Sequence, residues 1–345
     1  MSSADSNTTV PVSEVANFVK TALGQLGASA AATEAVSASI LWCELHGISS
    51  HGLNMLPTYI KRARSGGIDP AAEPEFIHEY KAIARLDGRA TFGQYIAAMA
   101  VKKAADMSRG FGVGAVSVFN GNHAGALGHF THKLAQSGLL GFMAHNVNPA
   151  VAPFGGRKAA IGTNPLSFAF PAEEHPIVVD MATSTTAKGK LYELARSGDQ
   201  IPPGLALNKK GEATTSLAEA LEGVLLPMSG PKGYSLAIAV EMLTSVLGGG
   251  ILGPEIPSFH GAPERPQGVS MFVLAIDPSA VLPAGEYKHR AAELGEKITA
   301  MPPAEGFNAV RLPGEFEAQL VDVRKKEGIP VKKKLLDEIE ALLSD

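Results

Sequence analysis

The chain has 345 residues, with 30 Lys plus Arg against 34 Asp plus Glu, a net charge of −4 and 45% hydrophobic residues. That length fills one large or two ordinary domains, and the near-even charge balance excludes a surface built for nucleic acid or an anionic membrane. No apolar run reaches the ~18 residues of a membrane span, the polar start lacks a signal-peptide pattern, and the single cysteine, Cys43, excludes an internal disulfide. Together these features predict a soluble, cytoplasmic protein.

In chain order, Ser13 to Leu26 has helical spacing, with Val15, Phe18, Val19, Ala22 and Leu26 apolar and Gly27 as its stop. Ser29 opens an alanine-rich helix running to about Leu45. A third helix, from about Leu53 to Ser65, puts Met55, Tyr59 and Arg62 on one face before Gly66-Gly67. Between the second and third lies Glu44-Leu45-His46-Gly47-Ile48-Ser49-Ser50-His51-Gly52-Leu53. Glycine lets the backbone turn or approach a ligand, and a serine beside a histidine can position the imidazole for proton transfer. The same residues also describe a Gly-stopped helix followed by a serine cap, and this stretch alone leaves both readings open.

From Phe76 onward strands alternate with helices. Strands are predicted at Ala82 to Asp87, Gly112 to Phe119, Leu139 to Ala144, Leu166 to Phe170, Ile177 to Met181 and Gly268 to Ile276. Helices are predicted at Gly93 to Ser108, Ala124 to Ser137, Ala187 to Ser197 and Tyr234 to Leu247, with a hairpin near Asn208-Lys209-Lys210-Gly211. This alternation predicts an α/β layer structure. The charged, helical tail from Phe316 is broken at Gly328-Ile329-Pro330 and is expected to return to the N-terminal helices. The expected division is a helical domain, 1–75, carrying 316–345, and an α/β domain, 76–315.

Gly248-Gly249-Gly250-Ile251-Leu252-Gly253 satisfies a dinucleotide fingerprint in letters, but it follows a helix and runs into Pro254, so it reads as a helix-terminating loop. Gly110 to Gly114 likewise reads as a helix C-cap. Asn120-Gly121-Asn122-His123-Ala124-Gly125-Ala126-Leu127-Gly128 follows a strand and opens a helix, the order that presents free N–H groups to an anion. A plain polar-capped turn explains it equally well. His123, His129 and His132 cluster in sequence, but no Cys or carboxylate completes a ligand set, so no metal is predicted. Polar loops at Asn146 to Pro149, Gly162 to Pro165, Asp180 to Ser184, Ala187 to Lys190 and Gly230 to Tyr234 interrupt apolar structure where α/β proteins build ligand sites.

Taken in order, Ser50-His51-Gly52, Leu56-Pro57 with Tyr59, Asp87-Gly88, Asn122 to Ala126, Pro153 to Gly156, Gly162 to Pro165, Asp180 to Ser184, Gly189-Lys190, Leu225 to Pro227, Pro231 to Tyr234 and Leu312 to Glu315 resemble the malate/L-lactate dehydrogenase family that lacks the Rossmann fold. The resemblance covers about residues 13 to 330. It implies a helical domain, an α/β domain with an atypical NAD(P) site, and a homodimer with the active site in the cleft between domains. The implied activity is hydride transfer between NAD or NADP, with NAD favoured, and a 2-oxo or 2-hydroxy acid. Reduction of a cyclic ketimine, or a ureidoglycolate-type dehydrogenation, is the alternative. His51 matches the proton donor and acceptor, Ser50 its support, and His123 a second acid/base candidate. His123, Ala124, Gly125, Ala126, Leu127, Asp180, Met181, Ala182, Lys232, Gly233, Arg311, Leu312, Pro313 and Gly314 match cofactor-binding positions. Thr163, Lys188, Gly189 and Lys190 match the substrate side.

Two positions depart from the family pattern. Many relatives carry, two residues after Ser-His-Gly, an arginine able to grip a carboxylate bidentately. Here Met55 stands there, and Arg62, two turns along, is the candidate replacement. Ketimine reductases tend to have an aspartate where this chain has Lys190, which favours the hydroxy-acid branch.

Overall fold

The computed structural model describes residues 7–187, 191 and 200–344. The chain begins with a short strand β1 (Asn7–Val10), then helices α1 (Val12–Gln25), α2 (Ala30–Leu45) and α3 (Leu56–Ser65), with two 3₁₀ turns, Ser49–His51 and Leu53–Met55, joining the last two. Ser29 caps α2 by accepting from Ala32 N–H, and Gly66, at φ 92°, ends α3 in the left-handed region that favours glycine. Next come β2 (Glu75–Tyr80), β3 (Ile83–Asp87), α4 (Gly93–Phe111), β4 (Val113–Gly121), α5 (Gly128–Gln136), β5 (Leu140–His145), β6 (Leu166–Phe170) and β7 (Ile177–Met181). A small unit follows, with β8 (Ala206–Leu207), β9 (Ala213–Thr214), α6 (Leu217–Glu222) and β10 (Val224–Leu225). The chain ends with α7 (Pro231–Glu241), a π-helical turn (Met242–Val246), β11 (Val269–Ile276), α8 (Glu286–Thr299), α9 (Glu315–Glu327), β12 (Ile329–Lys332) and α10 (Lys333–Ser344).

The main sheet has seven strands in the order β2-β3-β4-β11-β5-β6-β7, antiparallel except for the parallel β3–β4 pair. The period-2 alternation of β4 sets its two faces. Val116 and Val118 point to α4 and α5, forming a core with Ile96, Ala100, Phe130, Leu134, Met271 and Val273. Ser117, on the other face, lies under Gly248 at the end of the π turn, so the α7 segment covers that side. Gly248 to Gly250 is therefore a close-packing loop: a Cβ on Gly250 would lie 2.2 Å from Ser270 Oγ.

A separate core joins α1, α2 and α3 to the C-terminus. Val15, Val19, Leu23, Val36, Ile40, Leu56 and Ile60 pack with Ile329, Val331 and Ile339, and β12 pairs antiparallel with β1. Residues of this C-terminal segment thus pack on the N-terminal helices. Phe92 and Tyr95 at the start of α4 enter the same core and tie it to the sheet.

Several boundaries differ from the periodicity reading. The expected helix from Ala124 begins at Gly128, because 122–127 is irregular backbone pinned by side chains. Strand β2 escapes the apolar-run signal because nearly all of it is exposed at the sheet edge. The α3 segment starts with a 3₁₀ turn, so its regular helix opens at Leu56. Most of the helix expected at Ala187 to Ser197 lies outside the described residues.

Candidate active site

The 3₁₀ turn bearing Ser49, Ser50 and His51 is built on a buried carboxylate. Glu44, in the last turn of α2, accepts from Leu53 N–H at 2.8 Å and from Ser49 Oγ at 3.0 Å. Gly52 is required above it, because a Cβ there would lie 2.1 Å from Glu44 Oε1. Burial pushes the Glu44 carboxyl up, while the Leu53 amide and the Ser49 hydroxyl pull it back. Arg324 of α9 binds the Glu44 carbonyl, so the C-terminal segment buttresses the same turn.

On this base Ser50 Oγ lies 3.0 Å from His51 Nδ1. His51 is partly buried, and burial lowers its pKa below the ordinary 6.5. Its ring stacks on that of His123, with centroids 5.7 Å apart and planes 23° from parallel. The structure thus brings together the two histidines that stand 72 positions apart in the chain (123 − 51).

The loop holding His123 is fixed on every side. Asn122 donates to the carbonyls of Ala90 and Thr91 and accepts from Gln267 N–H. His123 N–H donates to Gln267 Oε1 at 3.1 Å. Gly93 lets the loop approach α4, since a Cβ there would meet the carbonyl oxygens of Asn122 at 2.1 Å and His123 at 2.4 Å. The His123 ring is bonded through Nδ1 to Tyr59 Oη at 2.8 Å and to Gly125 N–H at 3.3 Å. Phe259 packs on it at 5.0 Å between centroids. Burial holds the His123 pKa well below 6.5, and His51, His145, His260 and Arg62 push it the same way.

Arg62 does not reach the cleft. It is wholly buried, and its guanidinium donates to the carbonyls of Phe259, Ala262 and Arg265. Its role is to pin the 259–265 loop, and with it Phe259, against His123. The expectation that Arg62 replaces the missing arginine is therefore overturned: every carbonyl it holds belongs to that loop. Met55 is partly buried at the end of its 3₁₀ turn.

The same 122–128 loop carries the opposite end of the site. Gly128 N–H, at the start of α5, donates to Asp180 Oδ2 at 2.7 Å, and Asp180 sits at the end of β7 beside Met181 and Ala182. The Asp180 residue reaches solvent, yet the protein closely surrounds its carboxyl and pushes it up to about 6 against the pull of the Gly128 amide. Val178 N–H donates to the Pro313 carbonyl, and Gly314 fits flat on Val178, where a Cβ would stand 3.1 Å from its nitrogen. Thr183 bonds the Thr163 carbonyl through both its N–H and its hydroxyl. Gly233 nests against Met228 and the Thr183 carbonyl, while its neighbour Lys232 is exposed at the N-terminus of α7. Arg311, in the loop before α9, turns to that helix, donating to Gln319 and lying over Phe316. Ala124, Ala126 and Leu127 are buried. Lys188, Gly189 and Lys190 lie outside the described residues.

These groups fit a dinucleotide. The Asp180 carboxylate at the end of β7 can accept sugar hydroxyls, an uncapped helix N-terminus beside a lysine suits phosphate, and glycines at 233 and 314 let their backbones sit close on Thr183 and Val178. Among the described residues no cluster of three or more His, Cys, Asp or Glu is arranged to hold a metal ion. His129 is buried with both ring nitrogens unpartnered, and His132 faces His46 and Trp42, away from His123. Sequence reasoning missed Phe259 and Gln267, quoted Glu44 in the 44–53 stretch without a role, and named Tyr59 on a helix face and in the family motif without its bond to His123.

Paired histidines, a carboxylate and phosphate-suited loops are an arrangement that suits a dinucleotide-dependent oxidoreductase. A sequence model of the malate/L-lactate dehydrogenase family matches residues 10–340. Relatives include L-sulfolactate dehydrogenase of Methanocaldococcus jannaschii, 35% identical over 88% of this chain and 87% of that protein, and malate dehydrogenase of Pyrococcus abyssi, 35% identical over 96% and 93%. Among solved structures, the Methanocaldococcus jannaschii sulfolactate dehydrogenase superposes with a TM-score of 0.92 at 32% identity, covering 98% of this chain and 97% of that one. Malate dehydrogenase of Pyrococcus horikoshii superposes at 0.90 and 29% identity over 98% and 95%. The chain belongs to the malate/L-lactate dehydrogenase family and is an NAD(P)-dependent dehydrogenase.

Proposed function

We propose that the chain interconverts a 2-oxo acid and a 2-hydroxy acid, of the malate, lactate or sulfolactate type, with His51 as the proton carrier. The observation that carries this reading is the Ser50–His51 pair, set on the buried Glu44 and stacked against His123. The chemistry a nicotinamide would supply here, when bound, is hydride exchange at the substrate carbon. Asp180, Met181, Ala182, Lys232, Gly233 and the 311–314 segment would hold the dinucleotide, and Ala124 to Leu127 would close the near side. Names among the relatives support the substrate class: sulfolactate and malate dehydrogenases recur. A piperideine-carboxylate reductase and a ureidoglycolate dehydrogenase are also similar, and Lys190, in place of the aspartate of ketimine reductases, favours the hydroxy-acid reading.

With Nδ1 on Ser50, the Nε2 atom of His51 is the one left for the substrate oxygen. Because burial lowers its pKa, His51 is mostly neutral at pH 7 and is ready to accept the hydroxyl proton of a 2-hydroxy acid. Oxidation therefore speeds up as pH rises through the His51 pKa, with its acid limb below 6.5, and reduction slows over the same range. The decisive experiment is a screen of NADH and NADPH oxidation against 2-oxo acids, cyclic imines and ureidoglycolate-type compounds. His51→Ala should lower kcat by about 10²–10⁴-fold and abolish the limb while leaving dinucleotide affinity unchanged. Near-normal kcat in that variant would overturn the assignment.

The chain also assembles as a homodimer in this reading. The support is the outward face of α7 and its π turn, where Leu236, Met242, Val246 and Leu247 are exposed together.

A further inference from the structure

The two stacked imidazoles are in different hydrogen-bonding states. Among the described residues His51 has one ring partner, the Ser50 hydroxyl, which can rotate to donate or accept. His123 has two partners on a single nitrogen, Tyr59 Oη and the Gly125 backbone N–H. A backbone N–H only donates, so His123 Nδ1 must present its lone pair. Tyr59 is then a donor to it as well, in keeping with burial, which keeps the phenol protonated. A neutral imidazole carries one proton, and here that proton is on Nε2.

We propose that His123 works as a fixed neutral hydrogen-bond donor, its Nε2–H polarising the substrate carbonyl, with Tyr59 as its positioning residue and His51 as the only proton carrier. This inference rests on the hydroxy-acid reading above. Nε2 of His123 has no partner among the described residues and is not sealed from the cleft. A second proton would have to go on Nδ1, where it would point at the Gly125 N–H and break that bond, and the Tyr59 hydroxyl would have to turn from donor to acceptor. The titratable groups that bear on the ring, His51, His145, His260 and Arg62, are cationic when charged, and each opposes that proton. Arg62 and Phe259 hold the ring in its plane from the far side.

In the reduction the carbonyl carbon takes hydride and the π pair moves to oxygen. His51 Nε2 gives its proton to that oxygen and becomes neutral. The Nε2–H of His123 stays on nitrogen and strengthens its hydrogen bond as negative charge builds on oxygen. A neutral donor suits this task because its own proton is held too firmly to be lost.

The test has two arms. Long-range ¹H–¹⁵N spectra of histidine-labelled enzyme, from about pH 5 to about 8, should show His123 as the neutral Nε2–H form throughout. Tyr59→Phe should raise its pKa by removing one donor from Nδ1. In the kinetic arm, His123→Gln keeps an N–H donor and should retain at least about tenfold more kcat than His123→Ala, with the pH limb unmoved; His51→Gln should give no such rescue. A doubly protonated or Nδ1–H His123 at neutral pH overturns the proposal, and so does equal loss in both His123 variants together with a displaced limb. If no 2-oxo acid turns over, the substrate reading fails, and the spectra still decide the state of His123.

Discussion

At the scale of single residues, the turn that carries Ser50 and His51 depends on what Glu44 can reach. Its carboxylate satisfies one backbone N–H and one hydroxyl beneath the turn, and the room it occupies is the room a side chain at 52 would need. Gly52→Ala must therefore push Glu44 aside or reopen the turn. The expected result is a loss of about 1–3 kcal/mol in stability with a fall in kcat larger than that of a neutral surface change. Thermal unfolding and steady-state kinetics on one preparation check this, and unchanged values for both would show that the turn relaxes freely. Ser50, His51 and Gly52 were legible in the sequence as a motif, but their support was not. Glu44 looked like one acidic residue at a helix end, and only the folded turn shows both of its oxygens engaged. Tyr59 and His123 are 64 positions apart, and Gln267 lies 144 beyond His123, so no local periodicity could pair them.

At the scale of elements, helix α2 meets α5 through a cluster of rings. Trp42 stacks on His46 at 3.9 Å, and His129 and His132 lie edge-on or tilted to the indole at 5.7 and 5.8 Å. Burial lowers the pKa of His132 to about 4, with help from His46 and His175, and holds His129 well below its ordinary value, with Lys133, His132 and His46 adding to the effect. Burial also lowers His46, while its bond to the Trp42 carbonyl and the charge of Glu317 oppose the shift and Lys325 adds to it. These folded-state values lie below the unfolded ones, so the folded form binds fewer protons. Stability is then fully present above about 6.5 and is lost as pH falls toward about 4. Tm should drop across that window, and His132→Phe should flatten part of the slope, as measured by thermal unfolding at a series of pH values. A Tm independent of pH between those limits would contradict the assignment. The strands of the sheet interior and the main helices were readable from apolar periodicity, because burial on one or both faces writes that pattern. The 122–127 loop and the π turn were not, since side-chain bonds to Asn122 and the close approach of Gly248 to Ser117 set their shape. The edge strand Glu75–Tyr80 is almost all exposed, and Glu75, His78 and Glu79 interrupt its apolar residues, so no continuous apolar run marks it.

At the scale of the whole molecule, α7 and the π turn after it are apolar on both sides. Ala237, Val240 and Thr244 are buried toward the protein, and Glu241 turns inward to bond Asn146, Asn164 and Ser245. The opposite face offers Leu236 at 39%, Met242 at 55%, Val246 at 50% and Leu247 at 53% exposure. A helix facing water on that side would carry charge there, and here the one carboxylate of the stretch is spent inside. A second copy of the chain is the occupant that the family resemblance implies, and a stable contact would bury about 1,200–2,000 Å² in all. The π turn lies within this face: Met242 and Val246 are exposed on it, while Thr244 and Ser245 are buried toward the sheet. Met242→Glu combined with Val246→Lys should convert a dimer to a monomer in light scattering while leaving the circular dichroism of the fold unchanged. Because α7 also begins at Lys232 and Gly233, the monomeric variant should bind dinucleotide more weakly than the dimer, whose partner would hold that helix in place. A variant that remains dimeric would place the interface on another surface, and a wild-type monomer would remove the dimer altogether.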